Sequence, residues 1–263
     1  MPFLDHLEEL RWRILWSVIA ITIFSIIGFA LVYYFDVLDL LIAPIRTARE
    51  DPDLQLIYLS PAAPFFVTLK LAIYGGIIMA FPIVAYQMWS FLSPALEKSE
   101  KRAIIPALYL GMLLFMGGVA MAYFAALPVT LEFFKTFEGE ALQGTLEINQ
   151  TLGFIVKILL GFGAVFEMPV VIMVLTAMGL VTPQFLRKKR RHAILANTVL
   201  ASFITPGDII TLTLMLLVPL LLLYELSIFL SAGIYNRRQK RQEAEAKKYE
   251  ASDTPPPGSV QAG

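Results

Sequence analysis

Long apolar segments are the feature that most constrains how this chain can fold. Six of them can be drawn along the 263 residues, at 16–35, 67–89, 104–127, 152–178, 193–204 and 209–232. A helix needs about 20 mostly apolar residues to cross a ~30 Å hydrocarbon core. Hydrophobic residues make up 57% of the chain, and the mean hydropathy is +0.70. The sequence therefore predicts an all-α integral membrane protein with six transmembrane helices.

Basic residues are distributed unevenly between these segments. An even number of spans puts both termini on one side, and the loops and ends on that side hold 16 of the 21 Lys and Arg residues. The loops on the other side hold Arg46, Arg49 and Lys135. Because an excess of Lys and Arg marks the cytoplasmic side, we expect the N and C termini to be cytoplasmic.

Two long loops, at about 36–66 and 128–151, then face the outside. The first contains FDVLDLLIAPI (35–45) and LQLIYLSPAAPFF (54–66), in which apolar residues recur at helical spacing. This pattern predicts two short helices that lie on the outer surface as a cap. A simple interfacial loop is the alternative interpretation.

The fifth and sixth segments are separated by TPGD (205–208), which is a turn signal. Only about a dozen residues lie between Arg191 and this turn, so the apolar part of the fifth helix would rise only ~18 Å. We therefore predict a tight hairpin in which helices 5 and 6 are short. Residues 1–235 would form the membrane core, and residues 236–263, which are charged and then proline-rich, would form a disordered cytoplasmic tail.

Several classes of chemistry are excluded by composition. The chain has no cysteine, and its two histidines are His6 and His192, which rules out thiolate chemistry, iron–sulfur clusters and a His/Cys metal cage. No glycine-rich phosphate loop is present. The basic run at 187–191 lies between apolar segments and indicates a topology anchor rather than a nucleic-acid patch. We expect no cofactor, no metal and no catalytic residues, so the protein is not predicted to be an enzyme.

Glu167 is the least ordinary residue of the fourth segment, which reads GFGAVFEMPVVIMVL over 161–175. A charged side chain at the centre of a span costs at least ~2.5 kcal/mol on insertion scales, so such residues usually face a bundle interior, a cavity or a partner. Pro169 leaves the carbonyl of Val165 without its usual donor, which predicts a kink beside the acid. The alternative is a structural carboxyl bonded to a neighbouring helix.

Carboxylates also stand among the basic residues of the cytoplasmic side. Glu9 lies in the amphipathic stretch before the first span, and Glu100 lies in the first inner loop. The two could together bind a guanidinium if the fold brought them close. Ordinary helix chemistry, such as an i, i+4 pair between Glu9 and Arg13, is the alternative interpretation.

Five ordered motifs resemble those of the TatC family, the polytopic subunit of the twin-arginine protein translocase. They are HLEELRWR (6–13), WSFLSPALEKSEKR (89–102), FEMP (166–169), LRKKR (186–190) and TPGD (205–208). The resemblance runs from about residue 6 to residue 232. It implies a six-span concave bundle with an extracytoplasmic cap, in the cytoplasmic (inner) membrane of a prokaryote.

The resemblance also implies a function and a set of residues. The family receives twin-arginine signal peptides and docks single-span TatA- and TatB-type subunits, within a homo-oligomeric complex that exports folded proteins by the proton-motive force. Nucleic acid is not among the implied partners, whereas membrane lipid is. Carried over residue by residue, the signal-peptide site would comprise Glu9, Arg11, Phe91 and Glu100. The intramembrane pocket or partner-docking site would comprise Glu167, Gln87, Thr205 and Asp208, and Pro44 would belong to the structural cap.

A proton-coupled secondary transporter of a small solute is the alternative function. Glu167 and Asp208 would then serve as relay groups. No internal repeat supports this interpretation, and the cytoplasmic acids would have no role in it.

Overall fold

The computed structural model describes residues 2–92, 104–136, 145–204 and 211–253. Five of its helical stretches are long and apolar enough to cross a membrane: His6–Tyr34, Ala63–Phe91, Pro106–Lys135, Ile148–Ala177 and Leu216–Lys240. The prediction of an all-α membrane protein is confirmed. The helices are α1 (Pro2–Tyr34), α2 (Val37–Arg49), α3 (Ala63–Leu92), α4 (Ile104–Met121), α5 (Leu127–Lys135), α6 (Ile148–Phe166), α7 (Met168–Ala177), α8 (Pro183–Lys188), α9 (Arg190–Ile204) and α10 (Thr211–Asp253).

Helices α1 and α3 form a close antiparallel pair. A Cβ atom on Gly28 would lie 2.8 Å from the carbonyl oxygen of Ala72, and one on Gly76 would lie 2.6 Å from the backbone nitrogen of Ser25. Small residues at these crossing points let the two backbones approach, as in many membrane helix pairs. The pair brings the start of α1 beside the end of α3.

Helix α4 continues into α5 through one π-helical turn, Ala122–Ala126. Pro128 has no N–H to donate to the carbonyl of Phe124, which accounts for the irregular hydrogen bonding at this point. Helices α4 and α6 are in close contact, because a Cβ on Gly118 would lie 2.8 Å from the carbonyl oxygen of Phe162. Helix α6 lies at the centre of the core, where Ile155, Ile158 and Phe162 are at most 1% exposed.

The helix is interrupted for one residue at the intramembrane acid, where a kink was predicted. Helix α6 ends at Phe166 and α7 begins at Met168, with Glu167 between them. The Glu167 N–H donates to the carbonyl of Ala164 at 3.2 Å, and its carbonyl accepts from Val170 and Val171. Pro169 lies in the first turn of α7, a position where its missing N–H removes no helical bond.

The two loops predicted to face the outside meet in a cap, in which one of the two expected surface helices is formed. Helix α2 is the first expected surface helix, and its Ile42, Pro44 and Ile45 are buried. The prediction of a second surface helix within 54–66 is wrong, because residues 54–62 are not helical and residues 63–66 begin α3. Ile57 instead forms a β-bridge with Glu147, its N–H donating to Leu146 at 3.0 Å and its carbonyl accepting from Ile148 at 2.9 Å. Leu54 and Leu56 are half-buried with exposed neighbours, so these apolar residues follow the two-residue period of an extended chain.

Pro44 explains how α2 is attached to the rest of the protein. A proline at this position leaves the carbonyl of Leu40 without its helical donor. The Tyr123 hydroxyl, from the π-helical turn, donates to that carbonyl at 2.6 Å. Lys135 at the end of α5 also pairs with Glu50 at 3.1 Å. The outer cap, defined as α2 with residues 54–60 and 145–147, therefore rests on the α4–α5 junction.

The expected hairpin is formed by α9 and α10, and its turn residues lie outside the described ranges. Helix α9 has 15 residues, or about 22 Å at 1.5 Å per residue, so it is short as predicted. Arg190 pairs with Glu225 at 2.7 Å, which sets the first residue of α9 beside Glu225 of α10.

Helix α10 as a whole differs from the prediction. It has 43 residues and is neither short nor followed at once by a disordered tail, since it remains helical to Asp253. Residues 236–253 are rich in Arg, Lys, Gln, Glu and Ala, which are good helix formers. Extension of an existing helix also needs no new nucleus, so polar residues can continue it without burying apolar surface.

Candidate functional site

Glu9, one of the predicted recognition residues, lies at the end of the bundle where α1 begins and α3 ends. Its Oε1 accepts a hydrogen bond from Arg13 Nη2 at 3.2 Å, one helical turn later. Its Oε2 lies 3.8 Å from His6 Nδ1, about one turn earlier. The Glu9 side chain is 31% exposed, so the carboxylate is accessible from water although basic groups flank it on both sides.

Helix α3 contributes two further side chains to this cluster. Gln87 Oε1 accepts from Arg13 Nη1 at 3.1 Å, across 74 residues of sequence. The Phe91 ring stacks on the His6 ring with a centroid distance of 4.4 Å and an interplanar angle of 13°. We call the group of His6, Glu9, Arg13, Gln87 and Phe91 the polar end cluster. It joins α1 to α3 by one hydrogen bond and one ring contact.

The structure groups two predicted residues differently from the sequence. Gln87 was expected with Glu167, but it bonds to Arg13 and belongs to the polar end cluster. Arg11 was expected with Glu9, but it lines a shallow apolar groove of α1 with Leu7, Leu10 and Ile14. Two residues along a helix are about 200° apart, so Arg11 and Glu9 cannot point to the same side. This signal was available in the sequence.

His6 and Arg13 were not among the predicted site residues. Both stand one turn from Glu9, at i−3 and i+4, and this spacing could have revealed them. Their contacts with α3 could not have been read from the chain, because Gln87 and Phe91 are more than 70 residues away. Glu100 lies outside the described residues.

Glu167 forms a second candidate site inside the membrane. Its Oε1 is buried and has no hydrogen-bond partner in the part of the chain that the structure describes. Across from it, α4 presents Gly111, where a Cβ would lie 3.0 Å from Oε2 and 3.5 Å from Oε1. Gly111 therefore leaves the space that the carboxylate occupies. Thr205 and Asp208, predicted to line this pocket, lie outside the described residues.

Comparison with known proteins gives a consistent result. Residues 5–219 match the family model described as TatC, Sec-independent protein translocase protein. The Sec-independent protein translocase protein TatC of Aquifex aeolicus is 40% identical over 246 residues, which cover 93% of this chain and 100% of that protein. The TatC of Escherichia coli K12 is 34% identical over 254 residues and 96% of each chain.

Solved structures agree with the sequence comparison. A crystal structure described as the twin arginine translocase receptor TatC aligns with a TM-score of 0.72 and 40% identity, covering 87% of this chain and 99% of the other. A second crystal structure of that receptor, in the detergent DDM, aligns with a TM-score of 0.74 at 39% identity.

Proposed function

This chain belongs to the TatC family of Sec-independent protein translocase proteins, and from that premise we propose that it is the receptor and core subunit of a twin-arginine translocase. It binds the twin-arginine signal peptides of folded cargo, docks single-span TatA- and TatB-type subunits, and acts within an oligomeric complex in the cytoplasmic membrane of a prokaryote. The proton-motive force drives export, and this subunit catalyses no reaction of its own.

The polar end cluster is the observation that carries this proposal. A carboxylate at a membrane surface is suited to a guanidinium, which binds it in a planar, two-pronged arrangement. Glu9 is such a carboxylate, and Phe91 offers an aromatic face against which a second cation can stack. In the proposal, Glu100 from the first inner loop adds the carboxylate for the second arginine. Arg11 contacts a different part of the peptide, since it faces the apolar groove.

The intramembrane site serves a later step. Glu167 has a buried oxygen that lacks a donor within the described ranges, at a break between two helices. A partner helix or the apolar part of a signal peptide can supply that donor when it lodges there. We place Thr205 and Asp208 at the same pocket, and we assign Pro44 to the attachment of the outer cap.

A transporter of small solutes is the less favoured function. It would use Glu167 as a proton relay and would leave the polar end cluster without a purpose. Membership in a protein translocase family also favours export of proteins over transport of solutes.

The proposed recognition site is tested by peptide affinity. The full chain in lipid nanodiscs is titrated with a labelled twin-arginine signal peptide, alone and as the Glu9→Gln variant. Loss of one charge-assisted hydrogen bond should weaken binding about tenfold. Glu8→Gln is the matched control, because Glu8 is exposed and this variant removes the same charge at the residue next to Glu9. Equal affinities of the Glu9→Gln variant and the unchanged protein would overturn the assignment of Glu9.

A further inference from the structure

The carboxylate assigned to the signal peptide is already engaged by a guanidinium of this chain. Arg13 approaches Glu9 Oε1 at 3.2 Å through Nη2. This is the kind of group that a twin-arginine peptide would bring to the same oxygen. Both side chains are 31% exposed, so the pair lies at the surface and can open to water.

Arg13 is held at its other end by a different helix. Its Nη1 donates to Gln87 Oε1 of α3 at 3.1 Å, so the two terminal nitrogens of one guanidinium face two acceptors. If the contact with Glu9 opens, the contact with Gln87 can remain. Arg13 can thus keep its hydrogen bond to Gln87 while Glu9 binds another cation.

Resting on the function proposed above, we propose that Arg13 is an internal competitor for Glu9, a positioning residue that the arginine of a signal peptide displaces. A peptide guanidinium that binds Glu9 through both carboxylate oxygens must take Oε1 from Arg13, and the like charges of the two guanidinium groups repel each other. Peptide binding then exchanges one guanidinium–carboxylate contact for another. An exchange of this type keeps the complex reversible, because the net gain is smaller than that of a new ion pair.

Competition makes a specific thermodynamic prediction. A competitor lowers the affinity of every cationic ligand for Glu9 by the same factor, whatever the ligand. Removal of Arg13 should therefore raise the affinity of the protein for a twin-arginine peptide and for its twin-lysine variant by the same factor. The expected gain is roughly two- to fivefold, the range that exposed ion pairs of this type commonly contribute.

The test uses the full chain in nanodiscs and two labelled peptides, one with twin arginine and one with twin lysine. Arg13→Met should raise the affinity for both by the same factor. Arg13→Gln, which keeps a polar group beside Gln87, should do so as well and serves as a second variant if the first folds poorly. Arg46→Met is the matched control, since Arg46 pairs with Asp39 at 3.1 Å in the outer cap and should leave both affinities unchanged.

A double-mutant cycle separates competition from a structural role. In a Glu9→Gln background, Arg13→Met should give no gain, because the contested carboxylate is gone. A gain that persists in that background would overturn the proposal, as would weaker binding by Arg13→Met in the otherwise unchanged protein. Such results would leave the receptor function standing as long as Glu9→Gln alone weakens binding. Unchanged binding by Glu9→Gln alone would instead overturn the assignment of Glu9 to signal-peptide recognition, on which this proposal rests.

Discussion

Glu9 and Glu167 are acidic residues of the same membrane protein, and their surroundings are opposite. Glu9 is accessible, and it lies 3.2 Å from Arg13 and 3.8 Å from His6. Glu167 has a buried oxygen without a hydrogen-bond partner in the described ranges, and across the helix interface it faces Gly111, which has no side chain. A ligand at Glu9 must exchange with a group already present, whereas a ligand at Glu167 adds a contact where there was none.

The two sites should therefore differ in what they contribute to the resting protein. A surface ion pair contributes little to stability, about 0–1 kcal/mol. A buried acceptor without a donor costs about 1–3 kcal/mol. Glu9 is thus close to neutral for the fold, and Glu167 is a cost that a bound partner can offset.

Replacing Glu167 should give the largest effect and tests this difference most directly. Glu167→Met removes the unsatisfied oxygen and keeps most of the side-chain volume. Export of a folded reporter with a twin-arginine signal should fall about tenfold or more, the effect of losing a charged or polar docking contact. The thermal midpoint of the purified protein should stay level or rise. A clear loss of stability would show that the carboxyl has a structural partner, and the contrast with Glu9 would fail.

Gly111→Ala perturbs the surroundings of Glu167 without changing the acid. The new Cβ would lie 3.0 Å from Glu167 Oε2, so the carboxylate must move by a few tenths of an ångström. We expect export to fall roughly threefold, because docking contacts tolerate little displacement. Gly117→Ala is the matched control on the same helix, since a Cβ there has no neighbour within 4 Å. Both variants gain the same helix propensity. Equal export by the two would contradict the tight packing of Gly111 against Glu167.

The membrane-spanning part of the fold could largely be predicted from the sequence, whereas most contacts at the two sites could not. Apolar length was sufficient for five of the six predicted spans, and Pro169 for the interruption at Glu167, because each of these signals acts within one helix. The extended segment around Ile57 was misread, since its bridge partner, Glu147, is 90 residues away. The same holds for the polar end cluster, where the bond from Arg13 to Gln87 depends on how α1 packs against α3. The contact of Gly111 with Glu167 could not have been predicted, because glycines occur in membrane spans for several different reasons.

Ionic strength should separate the two sites further. In the proposal, binding at Glu9 exchanges one ion pair for another, whereas the second arginine adds a new pair with Glu100, and salt screens such a surface pair over about 8–10 Å at physiological concentrations. Raising sodium chloride from about 0.05 M to 0.5 M should weaken twin-arginine peptide binding roughly two- to threefold, the effect typical of one or two screened pairs. Crosslinking of a partner helix to a probe beside Glu167 should not change, since that site lies within the membrane. A salt effect of equal size at both would show that Glu167 is open to water.

Glu147 provides a third acid for the comparison and the smallest expected effect. It lies in the outer cap and is the N-cap residue of α6, and its Oε2 accepts a hydrogen bond from the Gln150 N–H at 2.7 Å. This bond, with smaller contributions from Asn149 and Lys70, holds the pKa of Glu147 below its ordinary value of 4.5. Because the pKa is lowered in the folded protein, the stabilisation is complete above the unfolded pKa and is lost as the pH falls through the folded pKa.

The thermal midpoint of the full chain in detergent should therefore fall slightly more between pH 6 and pH 3.5 than that of the Glu147→Gln variant. Asp36→Asn is the control, because Asp36 precedes α2 but makes no side-chain capping bond among the described residues, so this variant should keep the pH response of the unchanged protein. An identical acid response in the Glu147→Gln variant would show that the bond to Gln150 does not stabilise α6. Unlike Glu9 and Glu167, Glu147 accepts hydrogen bonds from the first turn of the helix that it caps, so its replacement should leave peptide binding and export unchanged.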